Sequence, residues 1–179
     1  MRGSGDSHVG GVGRRGLVSA IVALIAGRCG GEGRVAYNVY FEDVNVGDEI
    51  PAWTRKTDLM HWNRYAAVND EFVYIHMDED GGRAGGNEQG AFGMGNLRFA
   101  YLLNMLRDWA GDEAEIRELG LQFRVINQKN DVLTCSGKVV EKTVEGPEHR
   151  VRLEINVTNQ LGQGTAPGHA VVVLPARAG

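Results

Sequence analysis

The stretch AFGMGNLRFAYLLNMLRDWA, residues 91–110, decides the fold. Phe92, Phe99, Leu102, Leu103, Leu106 and Trp109 recur at helical spacing, and Met94, Ala100 and Met105 spread the apolar surface beyond one face. A helix that is apolar nearly all round is a buried helix. Gly111 stands where a helix-ending glycine belongs. The spacing predicts one long buried helix from about Ala91 to Ala110.

On either side of it the period is that of strands. Leu119, Leu121, Phe123 and Val125 alternate, as do Val151, Leu153, Ile155 and Val157, and the runs 132–144 and 169–174 supply two more. Asn130–Asp131, Gly146–Pro147 and residues 161–164 read as turns short enough for hairpins. Upstream, Val46–Gly47–Asp48 reads as a turn into a strand from Glu49 to about Lys56. Thr57 or Asp58 is the expected N-cap of a short helix through Leu59, Trp62, Tyr65, Ala66 and Val68. One apolar helix among antiparallel strands implies an α+β fold with the sheet wrapped around the helix. Gly90, Gly93 and Gly95 follow no strand and sit in no βαβ unit, which removes the dinucleotide-binding reading.

Composition narrows the function. The chain has 179 residues, 42% of them apolar, which suits one globular domain. A formal net charge of −4 argues against nucleic acid as a partner, because phosphate binding needs a basic footprint. Two cysteines, Cys29 and Cys135, form neither a disulfide framework nor a metal-ligand spacing, so no metal site is expected. Glycine is the outlier at 26 residues, many in a leader and others at 81–82, 85–86 and 90–95. Residues 1–36 read as an unstructured or upstream-started extension, and 37–176 as the folded domain. Arg14–Arg15 ahead of the apolar run 16–27 has the order of a secretory leader. That run is too short for a membrane span, which needs about 20 residues. The extension reading is preferred, with a cytoplasmic location.

Asp70–Glu71–Phe72–Val73–Tyr74–Ile75–His76–Met77–Asp78 carries the candidate chemistry, ahead of Gln89–Gly90–Ala91. One short connection holds a carboxylate and an imidazole, and the glycine run brings flexible backbone to the start of the buried helix. Neutral imidazole both accepts and donates protons near neutral pH. An ionised Asp beside it orients the ring and favours its charged form. The Gly90 N–H is the candidate donor to a developing oxyanion, since helix N-terminal amides lack internal partners. Losing such a donor costs on the order of 3–4 kcal/mol of transition-state stabilisation. Asp78 reads as a turn cap, His61 as packing beside Trp62, and His149 and His169 as solvated strand-end groups.

From about Tyr40 to Pro175 the chain resembles the MaoC-like dehydratases, the type-2 (R-specific) enoyl-CoA hydratase family. That family's signature runs Asp-x-Asn-Pro-Ile/Leu-His, often followed by a hydrophobic residue and Asp, and it is matched here by Asp70 to Asp78. Its His-Gly-Met at the head of the central helix corresponds to Gln89–Gly90–Ala91, and its Arg-Phe strand to Gln122–Phe123–Arg124. One extra residue separates Asp70 from His76, the Asn-Pro pair is replaced, and Gln89 stands in place of His.

The resemblance implies a hot-dog fold and a hydro-lyase of fatty acid metabolism that interconverts trans-2-enoyl and 3-hydroxyacyl thioesters. Asp70 and His76 would hold one water, and the Gly90 amide would stabilise the enolate. Tyr74, Gln89, Phe92, Asn96 and Arg83 would line the substrate. Coenzyme A or acyl-carrier pantetheine is then part of the substrate, with no further cofactor. The expected assembly is a homodimer or a dimer of dimers. Two alternatives stand beside this: a dehydratase for branched or dicarboxylic acyl-CoA of the methylmalyl/mesaconyl type, and a catalytically silent acyl-binding hot-dog subunit.

Overall fold

The computed structural model describes residues 38–177, so the leader and Cys29 lie outside the described residues. After a short 3-10 turn at Phe41–Asp43 come β1 (Glu49–Lys56), α1 (Leu59–Asn69), α2 (Tyr74–Met77), α3 (Glu79–Ala84) and α4 (Gly95–Ala110). Then follow β2 (Glu115–Leu121), β3 (Val132–Glu145), β4 (Glu148–Thr158) and β5 (Gly168–Leu174).

Both candidate caps of α1 are used, in different ways. The Asp58 carboxylate accepts the N–H groups of Met60 and His61 at 3.0 and 3.2 Å, a true N-cap. The Thr57 hydroxyl instead accepts the indole N–H of the fully buried Trp62 at 2.7 Å. The polar tip of a core tryptophan is thereby satisfied at the point where the strand gives way to the helix.

The strands form a five-stranded antiparallel sheet in the order β1-β3-β4-β5-β2. Alternation sets which side faces α4: Val151, Leu153, Ile155 and Val157 of β4 are buried, with Leu133, Cys135 and Val139 of β3 and Ala170, Val172 and Leu174 of β5. Cys135 is a core side chain whose thiol burial pushes up to about 12, so it is not a reactive group. The β3–β4 hairpin turns at Gly146–Pro147, as expected, with Gly146 at φ 58°.

Two expectations need correction. First, β2 pairs with β5 and not with β3. Residues 122–131 are therefore a crossing from one side of the sheet to the other, and Phe123 and Val125 lie outside any strand. Along the way Gln122 and Arg124 donate N–H groups to Pro167 and Thr165 carbonyls, each at 2.9 Å, and Asn130 donates to Thr57 at 2.8 Å.

Second, α4 begins at Gly95, not Ala91, and it is not buried all round. The crossing holds residues 91–94 out of the helix, because the Gly93 N–H donates to the Asn127 carbonyl at 2.9 Å. A side chain at Gly93 would run into the buried Asn127 amide. Leu102, Met105 and Leu106 are fully buried, each contributing about 1.5–3 kcal/mol. Asn96, Phe99, Asn104 and Arg107 are exposed. A single sheet covers one side of a helix, and the apolar surface of Phe99 is left outside it.

Candidate active site

The end of α1 and the start of α4 bring together the groups that matter. Asp70 terminates α1 in a left-handed conformation, φ 54° and ψ 36°, with its N–H donated to the Ala66 carbonyl. Asp tolerates that conformation better than most residues. Its side chain is exposed and makes no hydrogen bond to another described residue. Glu71 comes next. Its N–H also reaches the Ala66 carbonyl, at 3.1 Å, and its half-buried carboxylate accepts from Asn96 Nδ2 at 3.3 Å. Asn96 is the second residue of α4.

His76 lies on the single turn of α2, and only 9% of it is exposed. Its Nδ1 is 2.7 Å from the Phe92 carbonyl oxygen, and the two rings meet edge-on at 4.9 Å. A carbonyl only accepts, so Nδ1 carries the proton and the neutral ring presents Nε2 as the unprotonated nitrogen. Phe92 therefore contributes its backbone to the site and holds the imidazole in one tautomer. Asp78 is a cap, as expected: it accepts the Gly81 N–H at 2.8 Å, and that bond, with one from the Tyr74 hydroxyl, holds its carboxyl below the usual range.

Gly90 is placed differently from the expectation. Its N–H donates to the Asn87 carbonyl at 2.9 Å, so it offers no free donor to an oxyanion in this structure. Its φ of 90° belongs to a turn, and a Cβ there would collide with the Glu79 carboxylate. Glu79 accepts the Ala91 N–H at 3.1 Å and the Lys129 ammonium at 2.6 Å, and these contacts pull its pKa down, Lys129 first. Asn87 and Gln128 exchange a pair of amide hydrogen bonds at 2.9 and 3.0 Å. The glycine-rich run is thus a bracket tying α3 to the 122–131 crossing.

The unengaged donors are those of the first turn of α4, which no side chain caps. Tyr74 is 64% exposed with its hydroxyl on Asp78, and Gln89 is exposed. Arg83 is exposed and paired with Asp80 at 2.8 Å. Of the substrate-lining residues expected from the sequence, Phe92 contacts His76 and Asn96 contacts Glu71. Among the described residues no group of three or more His, Cys, Asp or Glu side chains is placed to hold a metal ion.

Glu71 is the residue that reading from the N-terminal side passes over. It stands five residues before His76, where Asp70 stands six before it. Phe92–Gly93–Met94 stands directly before α4, three residues on from Gln89–Gly90–Ala91.

No protein-family model matches the chain, and no curated protein does. Solved structures do. The unliganded R-hydratase PhaJ1 from Pseudomonas aeruginosa superimposes with a TM-score of 0.69 at 22% identity, covering 78% of this chain and 88% of its own. A MaoC-like dehydratase from Rhodospirillum rubrum gives 0.66 at 19% identity, over 79% and 99%. The ChsH1-ChsH2 complex from Mycobacterium tuberculosis gives 0.65 at 23% identity, over 73% and 98%. With an antiparallel sheet curled along one long helix, the chain has the hot-dog fold that it shares with R-hydratases and MaoC-like dehydratases.

Proposed function

We propose that the chain is a hydro-lyase that interconverts trans-2-enoyl and 3-hydroxyacyl thioesters by adding or removing water. The observation that carries this reading is His76: a buried imidazole with Nδ1–H fixed on the Phe92 carbonyl and Nε2 left as a base, beside the uncapped start of a long helix. The names of its structural neighbours, an R-hydratase and a MaoC-like dehydratase, support the same reaction class.

In the hydration direction, Nε2 takes one proton of a water while the water oxygen bonds to the β-carbon. The electron pair of the double bond moves onto the thioester oxygen as enolate. First-turn N–H groups of α4 and the positive end of the helix stabilise that charge, in place of the Gly90 amide. The imidazolium then returns its proton to the α-carbon, so that one water is added in full. A carboxylate from the 70–71 junction completes the site by holding the water. The thioester is carried on coenzyme A or acyl-carrier protein, with no further cofactor.

Loss of enoyl absorbance with crotonyl-CoA tests the reading. His76→Ala lowers kcat by about 10²–10⁴-fold. Turnover at the wild-type level in that variant would sink it. Absence of turnover by the pure protein across short, long and branched enoyl thioesters would favour the silent acyl-binding subunit. For the dicarboxylic alternative an arginine of the 78–86 loop would meet a second carboxylate, and Arg83 there is engaged with Asp80 at the surface. The proposal includes a cytoplasmic homodimer joined at the free edge of β2, where unpaired backbone groups await a strand. Sedimentation equilibrium reads its mass, and a monomer at micromolar concentration would refute the dimer.

A further inference from the structure

We infer that Glu71, and not Asp70, is the carboxylate that works with His76 on the water. This rests on the reading of the chain as an acyl-thioester hydratase, and it concerns which of two adjacent acids does the chemistry.

The backbone separates the two. The left-handed turn at Asp70 ends α1 and leaves that side chain in solvent. Glu71 is half-buried, and at the surface its carboxylate Oε2 takes the amide of the exposed Asn96 at 3.3 Å. Asn96 lies four residues after Phe92, whose carbonyl fixes the imidazole of His76. One short run, Phe92 to Asn96, therefore anchors both the acid and the imidazole.

The start of α4 is also where a negative charge is favoured by the helix dipole. Glu71 also lies near the half-buried Tyr65, whose phenol is pushed up first by burial and then by that carboxylate. Among the described residues Glu71 has no basic partner, and its second oxygen, Oε1, has no hydrogen-bond donor. That oxygen is left to accept one O–H of a bound water while Nε2 of His76 accepts the other. As the water oxygen bonds to the β-carbon, its proton passes to Nε2, and Glu71 stays ionised beside the imidazolium it stabilises. The imidazolium proton goes to the α-carbon, and both groups end as they began.

The experiment compares Glu71→Gln, Glu71→Asp, Asp70→Asn and His76→Ala in hydration of crotonyl-CoA. It adds calorimetric binding of 3-hydroxybutyryl-CoA against butyryl-CoA, which reads recognition of the hydroxyl without turnover. Glu71→Gln is expected to lose about a hundredfold or more in kcat with little change in KM. It also loses the preference for the hydroxyacyl ligand. Glu71→Asp recovers part of both, and Asp70→Asn stays within about threefold of wild type, the scale of a surface change.

Loss in Asp70→Asn with retention in Glu71→Gln overturns this assignment and leaves the hydratase reading intact. A Glu71→Gln protein that keeps kcat and hydroxyl preference overturns it as well. Wild-type protein with neither turnover nor hydroxyl preference, or full activity in His76→Ala, overturns the hydratase reading and this assignment with it.

Discussion

Residues 79–91 and residues 71–76 are neighbours in sequence and opposite in chemistry. In the first segment the polar groups answer one another. Glu79 holds the Ala91 N–H and Lys129, Gly90 donates to Asn87, and Asn87 and Gln128 exchange amides. In the second, His76 is pinned through Nδ1 only and Glu71 through one oxygen only. A segment whose donors and acceptors are matched builds a wall. One that holds its groups by a single point each leaves the other side of the group free to meet a ligand. The glycines belong to the wall, while Glu71 and His76 each keep one side unengaged.

The sharpest way to break that contrast is Gly82→Ala. In an exposed helix alanine is favoured over glycine by about 1 kcal/mol. Gly82 is buried in α3, and a Cβ there would strike the backbone carbonyl of Gly90 and the amide nitrogen of Ala91. Backbone cannot rotate away as a side chain can. The substitution is expected to destabilise by about 3 kcal/mol, among the larger single-residue effects, as read by urea unfolding. A neutral or stabilising result would mean that 79–91 is a loose loop and that the contrast with 71–76 is wrong.

Sequence periodicity carried far where contacts are local or repeat along an element. The alternation in β4 and the apolar spacing of 97–110 announced the core, and Asp58 announced the start of α1. It failed where a distant segment overrides local pattern. Phe92 continues the helical spacing of Phe99 and Leu106, yet the 122–131 crossing captures the Gly93 N–H and keeps this run out of the helix. The crossing itself was read as a strand because Phe123 and Val125 alternate, and only the pairing of β2 with β5 shows otherwise.

At the site, His76 was legible as the imidazole of a short loop. That Asp70 ends α1 was not legible from its spacing to His76, because ending a helix is a matter of backbone conformation. Asn69–Asp70 at the close of a periodic helix was the available signal, since Asn and Asp are residues that accept the left-handed turn.

A smaller effect sharpens the same contrast through pH. Glu79 has its pKa lowered from 4.5, chiefly by the Lys129 ammonium and then by the Ala91 N–H. A carboxyl with a depressed folded pKa binds protons more weakly folded than unfolded. Its contribution to stability is therefore present above 4.5 and is lost as pH falls through the depressed value. Glu79→Gln keeps an oxygen for the Ala91 N–H and removes the charge. Urea unfolding of wild type and variant is expected to show a modest gap near neutral pH that closes as pH falls below 4.5. Both partners are partly exposed, so solvent and salt screen the pair and keep the gap well below that of Gly82→Ala. A gap of constant size across that range would mean the charge does nothing and the amide contact alone closes the bracket. A gap that widens toward acid would reverse the sign, and the Lys129 contact would then no longer account for the tie between α3 and the crossing.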